Sequence, residues 1–138
     1  MRLWHYSLLP YLDRQHLLSQ HRECCALRGK GWGRRHATVD YVFKHSKVDL
    51  YAYHMLVMSQ MMKQGYTVNE VWFNPRYCGK ELGYDDSIMF EFSDCNFRYP
   101  EHDDAYLMFC IDLLERKGCD VSLMRKDFEV LCKQKDSI

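Results

Sequence analysis

In the segment QHLLSQHRECC, residues 15–25, His16, Gln20 and Glu23 recur at i, i+4 and i+7, so in a helix they stack on one face. Imidazole, amide and carboxylate side by side can position, accept and return protons. Gln15, Ser19 and Arg22 stack on the neighbouring polar face and add a guanidinium. The same pattern suits plain solvation of a helix that borders a core, and spacing alone leaves both readings open.

The loop that follows, RGKGWGRRH, gathers Arg28, Lys30, Arg34, Arg35 and His36 around Trp32. Cations of this kind bind phosphates, and an indole can stack on a base or wedge into a duplex. Gly29, Gly31 and Gly33 would let the backbone approach a ligand closely. The alternative is a solvated loop whose tryptophan folds back into the core. Charge is also unevenly placed. Residues 1–47 hold nine Lys/Arg against three Asp/Glu and five of the seven histidines, whereas residues 48–138 hold ten Lys/Arg against sixteen Asp/Glu. Either the basic part faces nucleic acid, or the two parts pair their charges across the fold.

A metal centre would need ligands in recognisable pairs. His21 and Cys25 share a face at i, i+4, with His16 and Cys24 near, but no second pair accompanies them. Cys24 and Cys25 fall on the apolar stripe with Leu17 and Leu18 and read as buried thiols; His54 reads as a hydrogen-bonded core histidine. Phosphate-loop, GxSxG and HExxH motifs are missing, so neither a metal nor another cofactor is expected. Seven cysteines, an odd number without a CxxC pair or a secretory leader, predict reduced thiols and a cytoplasmic protein. No apolar run approaches the roughly 18 residues a membrane span needs, so no membrane partner is expected.

The elements that would carry these residues are mostly helical. The spacing predicts helices over 11–28, from Ser46 to Gly65, over about 101–117, and over 121–134 with Asp120 as N-cap. The second is apolar nearly all round and should be the buried centre. Residues 38–43, TVDYVF, read as a short strand or an extended buried segment, and 66–100 read as loop. With 138 residues, 47% of them hydrophobic, the chain can fold on one core. The expectation is a compact, single-domain, all-α fold over residues 1–138 with long loops between helices.

The opening MRLW, the segment YLDRQHL and the triplet HRE resemble the pyrimidine-dimer DNA glycosylase family, the phage endonuclease V type, in its bacterial branch. The resemblance is strongest over residues 1–29, continues more weakly through HATVDYVF and MMKQGY, and is not followed past residue 75. It implies an all-α glycosylase and abasic-site lyase, monomeric, acting on double-stranded DNA that carries a lesion or an abasic site. It implies too that an N-terminal α-amine forms a Schiff base with the sugar, that Glu23 is essential and that Arg22 binds DNA. The physical sense is good. An α-amine has an ordinary pKa of about 8, against about 10.4 for lysine, so roughly a tenth of it is free base at neutral pH.

One departure matters. Residue 2 is arginine, too large for ordinary methionine removal, where the phage type has threonine. The expected nucleophile is therefore the amine of Met1, with Arg2 placed on phosphate. Gln15, His16, Arg22, Arg28, Lys30, Trp32, Arg34 and Arg35 complete the expected DNA surface. The acidic second part has no counterpart to the basic aromatic segment near the phage enzyme's C-terminus. A non-catalytic nucleic-acid-binding protein of the same fold is the alternative.

Overall fold

Leu3 and Trp4 bury themselves at once, and a 3-10 turn over Tyr6–Tyr11 starts where His5 Nδ1 accepts the Ser7 N–H at 3.0 Å. In the computed structural model, which describes residues 1–136, helix α1 follows over Arg14–Arg28. It begins later than the spacing predicts because the Asp13 carboxylate takes the His16 N–H at 2.8 Å and fixes the N-cap there. Leu17, Cys24 and Leu27 turn into the core, whereas Leu18 and Cys25 are only half-buried.

Helix α2, Lys47–Lys63, is the centre of the molecule, as its apolar circumference requires. Its start is a reciprocal capping box: Ser46 Oγ accepts the Asp49 N–H and the Asp49 carboxylate accepts the Ser46 N–H, both at 3.2 Å. It stops at Gly65, whose φ of 84° lets the Tyr66 N–H return to the Met61 carbonyl at 2.9 Å. Leu50, Val57 and Met58 are fully buried on it, each contributing about 1.5–3 kcal/mol relative to exposure.

Helix α3, Asp104–Arg116, is capped by the Asp103 carboxylate on the Tyr106 N–H at 2.8 Å and closes the core with Leu107, Ile111 and Leu114. The single helix expected over 121–134 is instead two, α4 (Ser122–Asp127) and α5 (Glu129–Asp136), broken at Phe128 with φ −106° and ψ 29°. Asp120 does not occupy the N-cap itself. Its carboxylate holds the Ser122 N–H at 2.9 Å and hydroxyl at 2.6 Å, and Val121 is the capping residue.

TVDYVF is not a strand. It turns into a 3-10 helix over Asp40–Lys44, with the Val39 N–H on the His36 carbonyl at 2.8 Å. Among the described residues the only β pairing is an isolated bridge between Tyr77 and Tyr84, so this segment has no ladder to join. Val39 and Val42 nevertheless supply the buried side chains the reading required. Residues 66–100 are a long connection with 3-10 turns at Glu70–Phe73 and Phe92–Asn96. The fold is all-α, and no helix among the described residues is long and apolar enough to cross a membrane.

Candidate active site

Glu23 and Gln20 leave α1 on the face where the N-terminal segment crosses it. Gln20 is 1% exposed, and its amide is filled from both sides. Oε1 accepts the Trp4 N–H at 2.7 Å and lies 3.1 Å from the Tyr53 hydroxyl, which donates to the Trp4 carbonyl at 2.6 Å. Nε2 donates to the Arg2 carbonyl at 2.9 Å and to Glu23 Oε2 at 3.1 Å. The first residues of the chain are thus tied, through one amide, to the carboxylate.

Glu23 Oε2 also accepts the Arg2 N–H at 3.3 Å. Burial raises the Glu23 carboxyl above the ordinary range; the Arg2 N–H, the positive charge of the N-terminal amine, Gln20 and Lys117 oppose that rise. Thr38 donates its hydroxyl to the Met1 carbonyl and holds the terminus from the other side. Met1, Arg2, His16, Ser19, Glu23 and Lys117 are among the residues that line a cavity of about 390 Å³. A second cavity, of about 430 Å³, has Met1 on its wall as well, with Lys30, Arg34, His36 and Trp72. Met1 thus borders two hollows, one holding the Glu23 carboxylate and the other lined by basic side chains.

The expected residues separate into groups. Met1, Arg2, His16 and Glu23 meet at the first cavity, and Lys30 and Arg34 at the second. Gln15, Arg22 and Arg35 are exposed, and Arg22 Nη2 donates to Ser19 Oγ at 3.1 Å. Arg2 stacks over Phe109 at 4.9 Å. The charge asymmetry resolves partly into pairing across the fold, with Lys30 on Glu81 at 2.6 Å and Lys47 on Asp85 at 3.3 Å. Thr38 and Lys117 join the site with no signal in the sequence, whereas Gln20 already lies on one face with His16 and Glu23 there.

Two of the expected DNA contacts are engaged within the protein. Arg28 is 5% exposed, and its guanidinium donates to the carbonyls of Trp72 (2.8 Å), Asn74 (2.8 Å) and Tyr77 (3.0 Å). It clamps the 72–77 segment from a buried position, which leaves the guanidinium little surface to offer a phosphate. Trp32 is half-buried, its ring edge-on to Phe43 at 5.1 Å with Lys47 above it at 5.7 Å, so it packs against the core. Gly31 owes its identity to the protein itself. A Cβ there would lie 2.6 Å from the Ala26 carbonyl oxygen.

His21, Cys25 and His54 converge with ligand-type atoms within 4.8 Å of one another, and hydrogen bonds fix the tautomers of the two imidazoles. Arg28 can only donate, so His54 Nδ1, at 2.9 Å, accepts from it. His54 Nε2 then bears the proton and donates to His21 Nδ1 at 2.8 Å. Burial, with Arg22 and Arg28 adding to it at His21 and Arg28 and His21 at His54, holds both rings below the ordinary histidine range. All seven cysteines are free thiols.

Fold and site together define an all-α protein that sets a half-buried carboxylate against its own N-terminus beside a basic loop. The family model for pyrimidine dimer DNA glycosylase matches residues 1–74, and the chain belongs to that family, which carries a DNA glycosylase role in DNA repair. No curated protein and no solved structure matches the chain. The matched residues include every wall of the Glu23 cavity except Leu113 and Lys117, which come from α3 and the turn after it.

Proposed function

We propose that the chain acts as one domain, a DNA glycosylase and abasic-site lyase in which the Met1 amine is the nucleophile and Glu23 its partner. The observation that carries this is the joint hold on the N-terminus, Arg2 N–H and Gln20 Nε2 both on Glu23 Oε2, with Met1 and Glu23 on the wall of one cavity.

The free amine forms a bond to C1′ of the damaged nucleotide. The bond from C1′ to the base breaks, and its electron pair leaves with the base, which takes up a proton. Opening the sugar at O4′, which is protonated in turn, leaves an iminium between the amine and C1′. Removal of a C2′ proton then expels the 3′ phosphate by β-elimination. As a carboxylate Glu23 stabilises the positive charge that develops on the sugar and accepts the amine proton; as an acid it returns a proton to O4′. A carboxyl raised by burial suits both parts, since its two forms lie closer in free energy at neutral pH. Arg2, Lys30, Arg34 and Arg35 hold phosphates, and lesion recognition extrudes a base where pairing is already weakened.

Abasic-site DNA treated with borohydride in the presence of the protein should give a covalent adduct whose peptide carries the DNA on Met1. Glu23→Gln should lower its yield at least about a hundredfold, the range removed with a general acid–base. An adduct on a lysine, or one indifferent to Glu23→Gln, would overturn the reading. Salt-dependent binding without any adduct would leave the chain a non-catalytic DNA-binding member of the fold.

A further inference from the structure

Where α1 begins, a second constellation lies outside the proposed chemistry. The Asp13 carboxylate, besides capping the helix through Oδ1, has that oxygen 2.9 Å from His16 Nδ1. Its other oxygen, Oδ2, faces Cys119 Sγ at 3.8 Å, and the same sulfur is 3.9 Å from His16 Nδ1. Carboxylate, imidazole and thiol all lie within 4.8 Å of one another, although Cys119 is 106 residues from Asp13 along the chain.

Each of the three is positioned by the fold. Asp13 is held by its capping bond, and His16 stands edge-on to Trp4 at 6.1 Å. Cys119 is fixed by its own N–H on the Leu114 carbonyl at 3.0 Å, in the turn that ends α3. A cavity of about 160 Å³ opens beside them, with Asp120 also among its lining residues.

We propose that Asp13 Oδ2, His16 Nδ1 and Cys119 Sγ form a zinc site of the three-ligand type, with solvent in the fourth position. Zinc bond lengths of about 2.0 Å to nitrogen or oxygen and 2.3 Å to sulfur place tetrahedral ligand atoms roughly 3.3–3.5 Å apart. The observed 3.8 and 3.9 Å need only a few tenths of an ångström of closure. Thiolate with imidazole selects zinc over magnesium or calcium, and one carboxylate tempers that softness. On binding, the thiol proton passes to solvent as the zinc–sulfur bond forms, and the His16 proton moves from Nδ1 to Nε2. Oδ1 keeps its place on the His16 N–H, so the helix cap survives. The ion ties the start of α1 to the α3–α4 turn and lies one residue, His16, away from the Glu23 cavity.

The trio of His21, Cys25 and His54 is the rival location, and cobalt separates the two. Full-length reduced protein, stripped with a chelator, is titrated with cobalt(II) alone. Expected are a thiolate-to-cobalt band in the near ultraviolet, saturation at one ion per chain, and bleaching by zinc. Cys119→Ser should abolish the band. Asp13→Asn, which can still cap the helix, should weaken binding about tenfold or more with the circular dichroism unchanged. Cys25→Ser should leave the band intact. Absence of stoichiometric binding, a band that survives Cys119→Ser, an Asp13→Asn variant that binds as the parent does, or a band lost in Cys25→Ser would each overturn the site.

Discussion

Gln20 carries no reactive group, yet its amide sets the distance between the N-terminal segment and Glu23. Removing it would leave the Trp4 N–H and the Arg2 carbonyl without their partner in a buried site. Gln20→Ala is therefore expected to cost about 2–3 kcal/mol in urea unfolding, from unsatisfied polar groups and a small cavity. It should also depress adduct formation, because the amine and carboxylate lose their common hold. Glu23 is expected to behave in the opposite way on stability. Its folded pKa lies above its unfolded value, so its contribution is fully present below the unfolded value and is lost as pH rises through the folded one. At pH 7 the buried charge is a cost. Glu23→Gln should then unfold at the same or a higher urea concentration than the parent while losing the adduct.

At the scale of the element, the end of α1 and the segment after α2 are joined by one side chain. Arg28 brings five donors in a fixed fork, and three carbonyls of 72–77 and His54 use them. Lysine has the charge but not the fork. Arg28→Lys should lower stability by about 3 kcal/mol, read by thermal melting, with a smaller effect on DNA affinity than Arg34→Ala. In the sequence Arg28 stands among Lys30, Arg34 and Arg35 and looks like one of them. Nothing in a run of cations distinguishes the one that the chain folds over. The Ser46 cap and the stops at Gly65 and Gly118 were clearer, because they act within a few residues of themselves, whereas the Asp13 and Asp103 caps set starts two or three residues later than the spacing predicts. Phe128, which breaks the last helix in two, gave no such local sign.

Across the whole molecule, burial keeps several histidines neutral. His5, His21 and His54 lie below the ordinary range, and His102 is lowered to about 3, chiefly through burial. His102 Nδ1 accepts the Tyr6 N–H at 3.2 Å, and the Tyr41 hydroxyl is 2.7 Å from its Nε2. A folded pKa below the unfolded one gives stability that is present above about 6.5 and is lost as pH falls toward the folded value. Each such group adds a slope of up to about 1.4 kcal/mol per pH unit in that window. The urea midpoint should fall steeply between pH 7 and pH 5. His102→Gln should flatten that slope even where it lowers stability at pH 7.

The sequence by itself determined what depends on near neighbours along the chain. Helical class, the Ser46 cap, the glycine stops, the apolar centre at α2 and the alignment of His16, Gln20 and Glu23 on one face all follow from a 3.6-residue period and local hydrogen bonding. Only the tertiary structure decided which neighbours each face meets. It laid Met1 and Arg2 over Glu23, drew Arg28 and Trp32 inward, set His54 against His21, and brought Cys119 to Asp13 and His16. Those contacts join residues tens of positions apart, and they arise from how the buried faces pack, which no local period encodes.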